Sequence, residues 1–300
     1  MKPKRPENHA AMIIREAITQ SAAFLKSAGI ETPSLDASLL LAHALNTGRE
    51  ALAAKGTEEL SEEALAALRA FLDRRANGEC VAYITGKKEF FALEFLVNSH
   101  VLVPRPDTET LVEAAIAIIN GQKAGFTMAA NTIHVLDLCT GSGAVAVSLK
   151  HEMPQLEVYA ADISAEALQI AKTNAQRLLS GAQIHFYHGD LYDALPPSAS
   201  PFDIIVGNPP YVPADEIKTL SAEVQNEPRL ALDGGKDGLE IIRRIIDGAH
   251  GNLRRGGTLL LEAAPYQMEK IAGLLENRGF RDIKLYKDMS GQKRVIGGRV

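Results

Sequence analysis

The stretch Ile133-His134-Val135-Leu136-Asp137-Leu138-Cys139-Thr140-Gly141-Ser142-Gly143-Ala144 decides the fold. Its first half is short and apolar, as a buried strand requires. Its second half is a loop that opens onto a helical stretch, Ala144–Lys150. Gly141 and Gly143 let the backbone turn tightly and approach a ligand closely. About 20 residues on, Asp162 ends the next strand, where a carboxylate accepts hydrogen bonds from ribose hydroxyls. This arrangement suits an adenosine-containing ligand. Gly141-x-Gly143-x-x-Ala146 also satisfies the dinucleotide fingerprint, so a nicotinamide-dependent dehydrogenase stays open at this point. A tight strand-to-helix turn with no ligand is the plainer alternative.

Outward from this loop, strands and helices alternate. Strands are expected at Ile133–Leu138, Glu157–Asp162, Ile184–His188, Phe202–Val206, Thr258–Glu262, Ile283–Tyr286 and Arg294–Ile296. Helices fall at Ala144–Lys150, Ala165–Leu179, Leu239–His250 and Gln267–Asn277. Short apolar strands alternating with helices predict an α/β fold, a doubly wound Rossmann-like sheet. Such sheets bind ligands beyond the carboxyl ends of their strands. Upstream the pattern differs. Ala10–Leu25, Leu35–Leu45 and Glu62–Leu72 carry helical spacing, the second entered through Thr32-Pro33 and the third capped by Ser61. Residues 89–104, rich in aromatic and β-branched types with a turn-like Asn98-Ser99, predict a β-hairpin. A helix follows through Ile119, then a surface loop over Gly121–Asn131. The expected organisation is a small helical domain over 1–77, a hairpin linker over 78–106 and the α/β domain over 107–300.

The 300-residue chain is 46% hydrophobic and 23% charged, the balance of a soluble globular protein, and its net charge of −5 provides no basic face for duplex phosphates. The two cysteines, Cys80 and Cys139, imply no disulfide framework and fit a reducing compartment. Ala10–Ile14 is too short for a signal-peptide core, and no apolar run approaches the ~18 residues of a membrane span. The cytoplasm is the expected location. His185 and His188 point to opposite faces of their strand, and no Cys/His cluster has zinc spacing, so no metal is expected.

Asp137 lies just before the loop, where a carboxylate can meet an amino group, a cation with no counterpart in a dinucleotide. Asp190, in His188-Gly189-Asp190-Leu191 after the third strand, can lie beside an adenine or stand as a solvated strand-end acid. Both details favour S-adenosylmethionine. The fourth strand ends in Val206-Gly207-Asn208-Pro209-Pro210-Tyr211-Val212-Pro213. Each proline lacks an N–H and pushes the residue before it toward an extended shape. The Asn208 side-chain oxygen and the Pro209 carbonyl are thus free to accept hydrogen bonds from an NH₂ on a planar group. Tyr211 can cover that group by stacking. An amide nitrogen is a poor nucleophile, and holding both its N–H bonds aims it at a sulfonium methyl.

With these segments the chain resembles the release-factor glutamine N5-methyltransferases, the HemK/PrmC family. The resemblance covers nearly the whole chain. Besides Asn208-Pro209-Pro210-Tyr211 it rests on Ala82-Tyr83-Ile84-Thr85-Gly86, Val103-Pro104-Arg105-Pro106-Asp107-Thr108-Glu109, the glycine loop, Glu227-Pro228 and Asp237-Gly238-Leu239. It implies a helical N-terminal domain, a β-hairpin linker and a Rossmann-like class I methyltransferase domain. It implies methylation of the glutamine in the Gly-Gly-Gln tip of class 1 release factors. By position, the family's cofactor loop falls on Cys139, Thr140, Gly141, Ser142 and Gly143, and its ribose acid on Asp162. Its substrate clamp falls on Asn208, Pro209, Pro210 and Tyr211. Residues 105–109 are similar to the segment that lines the family's cofactor pocket. The chain departs from the family at Cys139, where glycine is usual, at Leu191, where some relatives carry an aromatic, and at Cys80, where proline is common.

The expected assignment has Asn208, Pro209 and Tyr211 as catalytic residues. Asp137, Cys139–Gly143, Asp162, Asp190, Leu191 and Asn208 hold the cofactor. The partner is a release factor met by a monomer, with no direct nucleic acid and no membrane. Two rivals stand beside it: an amino-group methyltransferase acting on nucleic acid, and a dehydrogenase or non-catalytic module on the same fold. The acidic charge speaks against the first. The second leaves Asn208–Tyr211 unexplained.

Overall fold

The computed structural model describes residues 12–125, 132–199 and 201–300. The chain forms two compact units, one of Met1–Gly86 with Ser221–Asn226, the other of Lys87–Leu220 with Glu227–Val300.

The first unit is helical: α1 (Ile14–Ser27), α2 (Pro33–Ala44), α3 (Arg49–Ala54), α4 (Glu62–Ala76) and α5 (Val81–Thr85). Pro33 opens α2, where its missing N–H costs nothing. Ser61 caps α4 by accepting from Ala64 N, and Glu62, Glu63, Arg74 and Arg75 match the helix dipole at its two ends. Leu25, Leu40, Leu41, Leu68 and Leu72 are fully buried together, each contributing roughly 2 kcal/mol by leaving water. Arg75, also buried, bonds Asp36 at 2.7 Å and Glu223 at 2.8 Å. The start of the first expected helix, Ala10-Ala11, lies outside the described residues. Of these five, α3 and α5 were not anticipated, both shorter than the window in which helical periodicity shows. The Cys80 sulfur caps α5 by accepting from Tyr83 N at 3.4 Å. Ile84 is buried in the same core, which is why this unit runs to Gly86 and past residue 77.

The second unit opens with the antiparallel hairpin β1 (Lys87–Phe90) and β2 (Leu93–Leu96). Its turn is Phe91-Ala92, both at positive φ (49° and 57°), and not Asn98-Ser99 as the sequence suggested. Packing overrides turn propensity here. Phe90 and Phe95 are buried edge-to-face beneath the turn, and Phe91 N donates to Glu109 Oε1 at 2.9 Å. Asn98 makes a local turn further on, accepting from His100 N at 2.9 Å. Helix α6 (Glu109–Gly125) continues past Ile119 into the stretch expected as loop; the rest of that loop, 126–131, lies outside the described residues.

Then come β3 (His134–Leu138), α7 (Ala144–Glu152), β4 (Glu157–Asp162), α8 (Ala165–Leu178), β5 (Ile184–His188) and β6 (Phe202–Gly207). The segment of the first unit carries α9 (Ala222–Gln225). It is followed by α10 (Glu240–Asn252), β7 (Leu253–Glu262), α11 (Met268–Asn277), β8 (Arg281–Lys287) and β9 (Lys293–Arg299). Strand β7 begins five residues before the expected Thr258, at Leu253. The sheet order is β5-β4-β3-β6-β7-β9-β8, parallel through β7, with an antiparallel hairpin of β8 and β9 at the end. Residues of α6, α7 and α8 form the core on one face, and Ile242, Ile245, Ile246, Ile271 and Leu275 of α10 and α11 that on the other. This is the predicted doubly wound sheet. Chain order reverses between β3 and β6, so the ligand cleft belongs at their carboxyl ends. Leu138 pairs with Ala161 on one side and Gly207 on the other, and Gly207 pairs with Leu261. Cys139, Asp162, Asn208 and Glu262 therefore emerge at one level.

Candidate active site

A cavity of about 260 Å³ opens at that edge. It brings together Asp137, Cys139, Thr140, Gly141, Ser142, Asp162, Asp190, Leu191, Asn208 and Pro210. Gly143, Pro209 and Tyr211 are not among its lining residues. Gly143 works behind the loop. At φ 81° it precedes α7, and a Cβ there would crowd Ala171 of α8 at 3.1 Å. Asn174, fully buried, ties the same loop to the hairpin by donating to Ser142 O and Leu96 O and accepting from Leu96 N.

Cys139 leaves β3 at φ 58°, in the left-handed region that glycine enters freely. Burial and nearby acids push its thiol well above the usual range, so it is a neutral wall of the cavity. Leu191 has the same backbone character, φ 50°. Asp190 beside it is half-exposed and bonds Arg244 at 2.7 Å.

Asp137 is 1% exposed. Its Oδ2 accepts from Thr140 Oγ1 at 2.6 Å and Ala146 N at 3.2 Å. No described residue donates to Oδ1. Burial pushes this carboxyl up to about 7, against the pull of those two bonds. Asp162 accepts from Gly141 N at 2.8 Å and Ser164 N at 2.9 Å, one on each oxygen, and burial raises it as well. Each Asp162 oxygen keeps a lone pair for a further donor.

Asn208 donates its amide N–H to Thr108 Oγ1 at 3.2 Å. No described residue donates to Asn208 Oδ1 or to the Pro209 carbonyl. The backbone beyond is held from behind: Gln267 Nε2 donates to Tyr211 O at 2.9 Å and Gly238 O at 3.3 Å. Gly238 lies so close that a Cβ there would overlap Tyr211 O. The Tyr211 hydroxyl points to Glu262 Oε1 at 3.5 Å, and burial raises its pKa.

Several of these residues escaped the sequence reading. Glu262 is a single acid closing the apolar run of β7, and Gln267 follows in the next turn; an acid at the end of a central strand was the available signal. For segment 105–109 the resemblance implied a place beside the cofactor pocket, but no role for any single residue. Arg105 and Thr108 line the cavity, Asp107 pairs with Arg294 at 2.8 Å, and Glu109 holds the hairpin turn. Glu227, 4% exposed, pairs with Arg105 and accepts from Val103 N at 3.1 Å. Among the described residues no three His, Cys, Asp or Glu side chains gather as metal ligands, and no helix is long and apolar enough to cross a membrane.

The donor set fits S-adenosylmethionine. Asp137 offers an unspent, buried carboxylate oxygen for an ammonium, Asp162 offers lone pairs for hydroxyls, and the loop between them exposes backbone.

Comparison with known proteins agrees with this geometry. Residues 16–86 match the PrmC N-terminal domain and residues 126–227 the methyltransferase small domain. The chain is 39% identical over 286 residues to the release factor glutamine methyltransferase of Moorella thermoacetica, covering 95% of this chain and 98% of that one. It is 41% identical over 271 residues to the release factor glutamine methyltransferase of Burkholderia pseudomallei, covering 89% and 92%. The solved catalytic domain of hMettl16 shares the fold, with a TM-score of 0.54 at 15% identity over 76% of this chain and 80% of that one. Similar along almost its whole length to enzymes of one kind, and carrying the glycine loop and Asn-Pro-Pro-Tyr segment at one sheet edge, the chain belongs to the S-adenosylmethionine-dependent release factor glutamine methyltransferases.

Proposed function

We propose that the chain methylates N5 of the glutamine in the Gly-Gly-Gln motif of class 1 peptide chain release factors. The observation that carries this reading is the pair of unspent acceptors at Asn208 Oδ1 and the Pro209 carbonyl, beside an Asn208 NH₂ already tied to Thr108. A carboxamide NH₂ has two donors to match them. S-adenosylmethionine supplies the methyl group. The two oxygens orient the glutamine nitrogen and stabilise the positive charge that grows on it. The N–H becomes acidic only as the new N–C bond forms, so no strong base is needed beforehand. Tyr211 covers the planar amide, Pro210 stiffens the turn, and Asp137, Cys139–Gly143, Asp162, Asp190 and Leu191 hold the cofactor. The helical unit serves as the docking domain for the release factor. The enzyme works as a cytoplasmic monomer without direct contact to nucleic acid. Replacing Asn208 with Ala should abolish transfer while changing cofactor affinity by less than about threefold. Normal turnover in that variant would remove Asn208 from the mechanism.

A further inference from the structure

At the β5 end of the cavity stand two opposite charges, Asp190 just after β5 and Arg244 of α10. Arg244 donates from Nη2 to Asp190 Oδ2 at 2.7 Å. No described residue donates to Asp190 Oδ1. The side chains of Arg244 and Asp190 are 44% and 43% exposed. A pair so open to water is screened and contributes little to stability. It does fix direction. A carboxylate that would turn freely in solvent is held through one oxygen, and the other is left to accept.

The sheet order β5-β4-β3 sets out this part of the cavity. Asp137 lies on β3, Asp162 ends β4, and Asp190 stands two residues past His188, the register partner of Asp162. Neighbouring strands lie about 4.8 Å apart. A cofactor with its ammonium on Asp137 and its ribose hydroxyls on Asp162 runs from β3 to β4, and its base continues over β5. The cavity there is lined by Ile163, Leu191 and Ile241, with Asp190 and Arg244 beside them. Aliphatic side chains hold a flat base by its faces but do not distinguish its edge. Leu191 supplies no ring for stacking, so discrimination falls on the charged pair.

We infer that Asp190 and Arg244 act as one unit that reads the edge of the cofactor's adenine, and that Arg244 is its specificity-determining member, holding Asp190 in place and offering a donor of its own. This rests on the placement of the ammonium at Asp137 and the ribose at Asp162. Adenine carries a 6-amino donor flanked by ring-nitrogen acceptors. Asp190 Oδ1 is an acceptor, and the guanidinium has five N–H donors in a rigid fork, of which the bond to Asp190 uses one. An acceptor beside a donor complements a donor beside an acceptor. A 6-oxo purine puts an oxygen where adenine has its amino group, so it meets Asp190 acceptor against acceptor. Arginine keeps its charge and has no acceptor to offer, so the pattern does not reverse.

The test is calorimetric titration of the full-length enzyme with two ligands that differ only at the purine edge, S-adenosylhomocysteine and its 6-oxo counterpart S-inosylhomocysteine. The wild type should prefer the 6-amino ligand by at least about 30-fold. Arg244→Met keeps an unbranched stem and removes the fork. It should cut that preference by about tenfold, through weaker binding of the 6-amino ligand. Asp190→Ala should lose as much, and the double variant little more than either alone, because the two side chains work together. The Tm of the ligand-free variants should stay within about 2 °C of the wild type. Equal affinity of the wild type for the two ligands, an unchanged preference in Arg244→Met, or a lowered Tm with both ligands weakened alike would overturn the inference. Asp162→Ala separates the two levels, because both ligands carry the ribose. If it weakens both alike while Arg244→Met leaves the preference unchanged, the edge reading alone fails. If it weakens neither, the placement of the cofactor fails with it.

Discussion

Gly141 donates its backbone N–H to Asp162 Oδ2 at 2.8 Å, joining the loop after β3 to the end of β4. The same carboxylate holds Ser164 N at 2.9 Å through its other oxygen. Asp162 thus shapes the glycine loop as well as facing the cavity.

Replacing Asp162 with Ala removes an acceptor from two backbone donors and, on the proposed reading, from the ribose. Cofactor affinity should fall by at least about tenfold, with kcat at saturation far less affected. Calorimetric titration of cofactor into the variant checks this, and unchanged affinity would contradict the assignment.

Asp137 predicts a pH dependence with a definite sign. Its carboxyl stands at about 7 because burial disfavours the anion. An ammonium bound against it favours the anion and releases the proton. Affinity for the cofactor should therefore rise as pH increases toward about 7, by up to about tenfold per pH unit, and level off above. For the free protein the sign is opposite. The raised pKa stabilises the fold below the ordinary carboxylate range, and that contribution is lost as pH rises through about 7. Asp137→Asn should flatten the affinity profile, weaken binding above about pH 7, and raise the free protein's Tm at about pH 8. An identical slope in the variant would show that another group sets it.

Gly238 sits at φ 73° with no room for a side chain beside Tyr211 O and Gln267 Nε2. Gly238→Ala should cost about 2 kcal/mol or more and lower kcat by displacing Tyr211. Gly29, at φ 83° with nothing within 4 Å, is the control; its alanine variant meets only the backbone cost of about 1 kcal/mol. Equal losses of Tm in the two would deny the packing argument.

Much of this was legible in the sequence because its causes are local. The alternation of apolar strands with helices announced the sheet. Gly141, Gly143 and Asp162 announced the tight turn between β3 and α7 and its tie to the end of β4, because that geometry needs those residue types. The hairpin turn was misplaced because Phe91-Ala92 has no turn chemistry; buried Phe90 and Phe95 and the distant Glu109 impose it. Glu262 and Gln267 were missed for a similar reason. Their partners, Tyr211 and Gly238, come from other parts of the chain, and nothing local marks such a contact.

The most direct measurement is methyl transfer from labelled S-adenosylmethionine to a purified class 1 release factor, followed by mass spectrometry of its peptides. The same factor with its Gly-Gly-Gln glutamine replaced runs alongside. Label on that glutamine's N5 alone, absent from the replaced factor, is the predicted result. Equal label in both factors, or transfer to nucleic acid and to neither factor, would contradict the proposed substrate.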